Sequence, residues 1–192
     1  MYDPMRQYTV AEYWKFVEAF SDRKFEYIDG DMHMMTGGSP AHAQIGARIA
    51  SLLDSALMNS DCVVYNSDVI LSLSNSRFYL PDVSVSCNPV DWTRMKCIES
   101  PSIAVEVLSP TTENTDKLEK LEAYQRYPII QEILLVDSRR RSVKHYHRVD
   151  MHKWEDTLYT NTKDSIGLEC IGVTLHVKDI YRKVYLALED TL

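Results

Sequence analysis

The apolar positions of the chain alternate between helical and strand spacing, and the alternation maps its elements. "TVAEYWKFVEAF" carries apolar residues at helical intervals, and Thr9 with Glu12 three residues later forms a capping-box pattern. "FEYIDGDMHMM" reads as two short strands around Asp29-Gly30, a strong hairpin signal. In "SPAHAQIGARIASLLDSAL", Ser39 is placed as N-cap and Pro40 as first helical residue. Ile45, Ile49, Leu52, Leu53 and Leu57 then mark one face of a long amphipathic helix. "CVVYN", "DVILSLS" and "PDVSVSC" are strand-like, and "SIAVEVLS" is nearly all apolar, as a strand buried on both faces would be. "NTDKLEKLEAYQRY" predicts a helix that Pro128 stops, and "QEILLVD" predicts a second interior strand, followed by "RSVKHYH". After a polar stretch, "LECIGVTLHV" reads as a strand and "KDIYRKVYLAL" as a closing helix. Strand, helix and strand in that order predict a crossover between parallel strands. The fold class expected is α/β, with a mixed central sheet flanked by helices and N-terminal hairpin strands.

Composition adds bounds. The chain has 192 residues, 45% hydrophobic and 26% charged, which fits one globular domain over 1–192. No window has the length of a membrane span, and "MYDPMRQYTV" lacks the basic and apolar regions of a signal peptide, so a cytoplasmic protein is expected. Cys62, Cys87, Cys97 and Cys170 are scattered, with no C-x-x-C pair, so reduced thiols are expected and structural zinc is not. A net charge of −7 argues against a generic nucleic-acid binder. It leaves room for an enzyme that reaches phosphates through bound metal. The basic run "SRRRSVKHYHR" reads as a solvated hairpin turn. His145 and His147 alternate on one strand and face the same side, but no third metal ligand presents itself, so an exposed strand is expected.

Glu106 is the sharpest anomaly, a carboxylate in the middle of "IAVEVLS". There it needs a compensating cation or metal. In "YLPDVSVS", Pro81 belongs at the start of a strand, which places Asp82 at its head. If the two strands are neighbours, Asp82 and Glu106 come within reach of one ion. Mg²⁺ takes oxygen ligands, commonly one or two carboxylates beside substrate phosphates. The competing readings are structural: Asp82 as a turn residue, Glu106 in a buried ion pair, Glu26 as an exposed hairpin carboxylate, and Asp116 with Lys120 as a surface i,i+4 pair.

The Pro-Asp pair followed by a glutamate near the end of an apolar strand resembles the PD-(D/E)XK nuclease superfamily. "PDVSV", "PSIAVEVLSPTTENTDKLEKLEAYQRY" and "EILLVD" look more narrowly like the Uma-two family of restriction-endonuclease-like proteins. The segment "FEYIDGDMHMMTGGSPAHAQI" is similar to that family too. The resemblance implies a restriction-endonuclease-like fold and hydrolysis of DNA with Mg²⁺ or Mn²⁺. It implies Asp82, Glu106 and the backbone carbonyl of Val107 as metal ligands, and Glu26 as a further ligand or water-orienting group. The superfamily's lysine two residues after the glutamate is Leu108 here. Lys120, four residues from both Asp116 and Tyr124, is the replacement expected, with Lys117 ranked second. His42 and Gln44 are weaker candidates for substrate contact, and a homodimer is expected by analogy. The alternative is a catalytically degenerate nuclease fold serving as a nucleic-acid-binding or dimeric accessory module, which Leu108 and the acidic charge favour. A metal-dependent phosphoesterase acting on RNA or a nucleotide is the third reading.

Overall fold

The computed structural model describes residues 2–35, 37–109 and 116–186, and the side chains of 116–118 lie outside that set. The chain runs α1 (Val10–Ala19), β1 (Phe25–Ile28), β2 (Asp31–Met34), α2 (Pro40–Leu57), β3 (Val63–Asn66), β4 (Ile70–Ser74), β5 (Arg77–Tyr79), β6 (Val83–Ser86) and α3 (Pro89–Trp92). It continues with β7 (Cys97–Ile98), β8 (Pro101–Leu108), α4 (Asp116–Arg126), β9 (Glu132–Asp137), β10 (Val143–Arg148), β11 (Trp154–Tyr159), β12 (Ser165–Leu168), β13 (Val173–His176) and α5 (Val177–Ile180). One sheet has the order β11-β10-β9-β8-β6-β3, a second β2-β1-β5-β4-β7, and β12 and β13 form a two-stranded sheet. The α/β class and the mixed sheet are as expected: β8 and β9 pair in parallel through the α4 crossover, while β6 and β8 are antiparallel.

Local chemistry explains the helix starts. The Thr9 side chain accepts from the Glu12 amide while Glu12 reaches back to the Thr9 backbone, which satisfies donors that α1 cannot bond internally. Ser39 caps α2 ahead of Pro40. Between β1 and β2, Asp29 and Gly30 both take positive φ, at 49° and 112°, as a tight hairpin requires. Strand β8 is covered on both faces. Ile103, Val105 and Val107 pack with Ile45, Ile49 and Leu53 of α2, and Ala104 packs with Ala123 and Tyr124 of α4. Each fully buried Ile or Leu side chain contributes about 1.5–3 kcal/mol.

The structure corrects several expectations. Strands β5 and β7, three and two residues long, are too short for periodicity to reveal. The "polar stretch" contains β11, an edge strand with four exposed central residues and hence no apolar signature. "LECIGVTLHV" is broken by a 3-10 turn at Glu169–Ile171, which ends on left-handed Gly172. The closing helix is only α5, and Lys183 turns into the left-handed region soon after it. The last two residues of that expected helix, 187 and 188, lie outside the described residues.

The expectation of four reduced thiols fails for one pair. The β3–β6 register, Val63 opposite Ser86, sets Cys62 across from Cys87, and they form a disulfide. Cys97 and Cys170 are free. The basic run is only partly solvated: Arg140 is exposed, whereas Arg148 is buried. Its guanidinium donates to the carbonyls of Gln125, Tyr127, Ile130 and Met151 at 2.7–3.0 Å. Nor is the strand of His145 and His147 simply exposed. His145 is buried against the carboxylate of Glu132, and His147 Nδ1 lies 3.4 Å from the same group. No helix among the described residues is long and apolar enough to cross a membrane.

Candidate active site

The carboxylates meet because of strand register. Val83 of β6 pairs with Val105 of β8, and one step further along the same antiparallel ladder sets Asp82 beside Glu106. Side chains alternate across a sheet, so these two share the face opposite Val83 and Val105. Leu80 and Pro81 carry the chain from β5 in one sheet to β6 in the other. Proline has no N–H to give a ladder, so the β6 pairing begins at Val83 and Asp82 stays at the strand head. Its Oδ2 accepts the Val107 amide at 2.7 Å.

Two further elements close on this pair. Glu26 of β1 is buried, and its Oε1 accepts the Leu80 amide at 2.8 Å. From α4, Lys120 places its ammonium 2.7 Å from that same Oε1 and 3.4 Å from Glu106 Oε1. One turn later on α4, the Tyr124 hydroxyl donates to Glu106 Oε1 at 2.6 Å. On the far side, His42 of α2 sets Nε2 3.4 Å from Asp82 Oδ2. The structure thus brings together Glu26, Asp82, Glu106 and Lys120. Glu26 is no exposed hairpin carboxylate, and Lys120 is a buried cation rather than half of a surface pair. Gln44 is exposed on α2, and the side chains of Asp116 and Lys117 lie outside the described residues. Leu108 packs against the cluster that contains Ala123 and Tyr124.

The electrostatics follow from burial and crowding. Burial raises the Glu106 pKa most, and the charges of Asp82 and Glu26 push the same way. The Lys120 charge and the Tyr124 hydrogen bond pull it down, and it settles at about 7. Burial disfavours the Lys120 ammonium, but the charges of Glu106 and Glu26 outweigh it and hold the pKa above the usual lysine range. Lys120 is therefore a fixed positive charge rather than a base. His42 is raised chiefly by its bond to Asp82, against the opposing effect of burial.

This donor set suits a hard divalent cation. Among the described residues, no three His, Cys, Asp or Glu side chains converge on one ion position. Mg²⁺ does not require three, because it keeps several waters and binds through one or two carboxylates. Glu106, whose pKa is lifted to about 7 beside two other acids, is an oxygen donor that a bound cation would stabilise in its charged form.

Sequence reasoning missed the Tyr124 contact and underrated His42. The first was visible as a tyrosine one turn from Lys120. The second needed the tertiary approach of α2 to the head of β6.

The chain is similar to known proteins. A family model described as "Putative restriction endonuclease", Uma2, matches residues 10–178. Uncharacterized protein slr1290 of Synechocystis sp. is 36% identical over 180 residues, covering 93% of this chain and 94% of that one. Uncharacterized protein sll1609 of the same organism is 30% identical over 149 residues, or 76% and 84% of the two chains. The fold resembles the crystal structure of a "putative nuclease belonging to DUF820" from Anabaena variabilis, with a TM-score of 0.69 and 17% identity over 85% of this chain and 93% of that one.

Proposed function

The chain belongs to the Uma2 family, described as "Putative restriction endonuclease", and on that premise we propose that it is a divalent-metal-dependent endonuclease hydrolysing phosphodiester bonds of DNA. The observation that carries the reading is the buried Lys120 ammonium between Glu26 and Glu106, with Asp82 next to Glu106 on the neighbouring strand. A purely structural ion pair needs one carboxylate per cation, whereas Lys120 meets two, Glu26 and Glu106, and Asp82 stands on the strand beside Glu106.

In this reading Asp82, Glu106 and the Val107 carbonyl hold Mg²⁺ or Mn²⁺. When bound, such an ion polarises a phosphoryl oxygen and lowers the pKa of water. The chain's own groups do the positioning. Lys120 supplies a fixed charge to offset the negative charge that builds up during in-line displacement, a reaction governed by positioning and electrostatics. Glu26 anchors that ammonium, and Tyr124 fixes the orientation of the Glu106 carboxylate. Leu108 takes the strand position of the superfamily's lysine, and the ammonium comes from α4 instead. Two copies of the chain, each cutting one strand, would complete a double-strand break, so a homodimer is part of the proposal.

Leu108 also favours a second reading, a non-catalytic nucleic-acid-binding module. Calorimetry with Mn²⁺ and nicking of supercoiled plasmid separate the two. Wild type is expected to bind Mn²⁺ and nick DNA, Glu106→Gln to lose the binding, and Asp82→Ala to lose the nicking. Full metal-dependent nicking by Asp82→Ala would overturn the assignment. Absence of carboxylate-dependent Mn²⁺ binding, with or without DNA, would favour the second reading.

A further inference from the structure

The basic turn between β9 and β10 lies on the edge of the sheet that carries the candidate active site. Strand register puts it there. Glu106 of β8 pairs with Leu135 of β9, and Leu108 pairs with Asp137, the last residue of β9 before the turn. Two residues along a strand and one strand across separate Asp137 from Glu106, about 8 Å between main chains. Asp82 heads β6 on this same edge. In an open α/β sheet, ligands bind outside the carboxyl ends of the parallel strands, which here are β8 and β9.

The turn is held in shape. The Asp137 amide donates to the Ser142 carbonyl at 2.9 Å, which closes a loop around residues 138–141. The Ser138 hydroxyl and amide both donate to the Leu108 carbonyl, at 2.7 and 3.1 Å, and tie the loop to the end of β8. The Asp137 carboxylate accepts the Arg139 amide at 2.9 Å, Arg139 Nε at 3.1 Å and Arg140 Nε at 3.2 Å. The Arg140 side chain is nevertheless 60% exposed. Among the described residues it meets only that carboxylate, through Nε, which leaves its two terminal nitrogens open to another acceptor.

Three arginines against one aspartate make the turn cationic in a chain whose net charge is −7. An acidic chain that acts on a polyanion meets it through a local patch of this kind. The guanidinium fork suits phosphate oxygens, and a turn fixed in advance loses little freedom on binding. We propose that this turn grips the DNA backbone beside the scissile phosphate, with Arg140 on a flanking phosphate of the duplex. This rests on the DNA-acting reading above and adds to it the surface that holds the substrate. Each DNA strand offers a phosphate about every 3.4 Å of the helix axis, so a guanidinium this close to Glu106 meets a near neighbour of the phosphate being cut.

The test follows binding of a fluorescently labelled DNA duplex to the full chain by anisotropy over a range of salt, with EDTA to prevent cleavage and again with Ca²⁺. Wild type is expected to bind, with affinity falling as salt rises. Arg140→Gln should bind about tenfold more weakly at low salt, and its slope of log affinity against log salt should be shallower by about one, as loss of one phosphate contact requires. Arg140→Glu should weaken binding further. Lys153→Glu makes the same charge change on an exposed residue of the β10–β11 turn, at the opposite edge of the sheet, and should alter affinity by less than about twofold. Thermal unfolding confirms that the variants fold; Arg140→Gln, which sets no new charge beside Asp137, carries the test if Arg140→Glu does not. Affinity and salt slope in Arg140→Gln equal to wild type, or an equal loss in Lys153→Glu, would overturn the proposal and leave the endonuclease reading, judged by plasmid nicking, intact. Arg140-dependent binding without metal-dependent nicking would uphold the proposal and overturn the endonuclease reading. A wild type that neither binds nor nicks DNA would overturn both.

Discussion

The Lys120 ammonium meets the Glu26 carboxylate at 2.7 Å, joining α4 to the first strand of the other sheet. Both groups are buried, so neither can fall back on water if its partner is removed. Breaking a buried pair by deleting one partner typically costs about 3–5 kcal/mol. Lys120→Met is therefore expected to destabilise by a few kcal/mol, and adding Glu26→Gln to recover a large part of that loss. Urea unfolding of the two single variants and the double variant measures the coupling. Simple additivity would show that the pair does not act as a unit.

Glu106 predicts an unusual pH dependence. Its pKa is raised from 4.5 to about 7, so the folded state binds its proton more tightly than the unfolded chain does. The resulting stability is complete below pH 4.5 and is lost as pH rises through about 7. Glu106→Gln removes this loss. Without metal, the variant should therefore be more stable than wild type at pH 8, by on the order of 1–3 kcal/mol, with the advantage gone near pH 4.5. Thermal unfolding across that range decides it; a constant difference between the two proteins would contradict the assigned pKa.

Arg148 holds the helix that delivers Lys120. Its guanidinium gathers four carbonyls, two of them, from Gln125 and Tyr127, at the C-terminal end of α4, and it stacks 4.3 Å over Trp154. Arg148→Ala leaves those acceptors unsatisfied and is expected to cost about 2–4 kcal/mol. Arg148→Lys should restore only part of this, because an ammonium lacks the planar fork. Hydrogen exchange at the end of α4 should quicken in both variants, and unchanged exchange there would rule out this anchoring role.

The Cys62–Cys87 disulfide bridges residues 25 apart in sequence. A loop of that size gives about 3 kcal/mol by restricting the unfolded chain. Cys62→Ser should lower stability by roughly that amount and leave the carboxylate cluster intact, since neither cysteine contacts it. Unfolding with and without reductant should show the loss in wild type and none in the variant.

Periodicity and capping residues made most of the architecture legible. The Thr9 and Ser39 caps, the Asp29-Gly30 hairpin and the apolar β8 and β9 all write their structure locally. Asp82 and Glu106 stood out because carboxylates in such strands are costly. What stayed hidden depends on tertiary placement. Strand β11 looks polar because it is an edge. Arg148 reads as a surface charge because its carbonyl partners come from a different element. The buried Glu132 that meets His145 and His147 is an ordinary strand residue until β9 and β10 pair. The cysteines looked unrelated because β3 and β6, which align them, are separated by two other strands in the chain.

Strand pairing acts as a ruler for the two central carboxylates. The β6–β8 ladder keeps one register from Val83 to Val85 and slips only beyond it, where Ser86 faces Pro101. The irregularity thus lies at the end of the ladder away from Asp82 and Glu106. Insertions or deletions in the stretch 87–100 that joins the strands can be taken up there without moving either acid. One residue added or removed between 103 and 105 would turn Glu106 toward α2, into a wall of aliphatic side chains. Among divergent relatives, length variation is accordingly expected to gather in that connection and to stop short of the strands themselves.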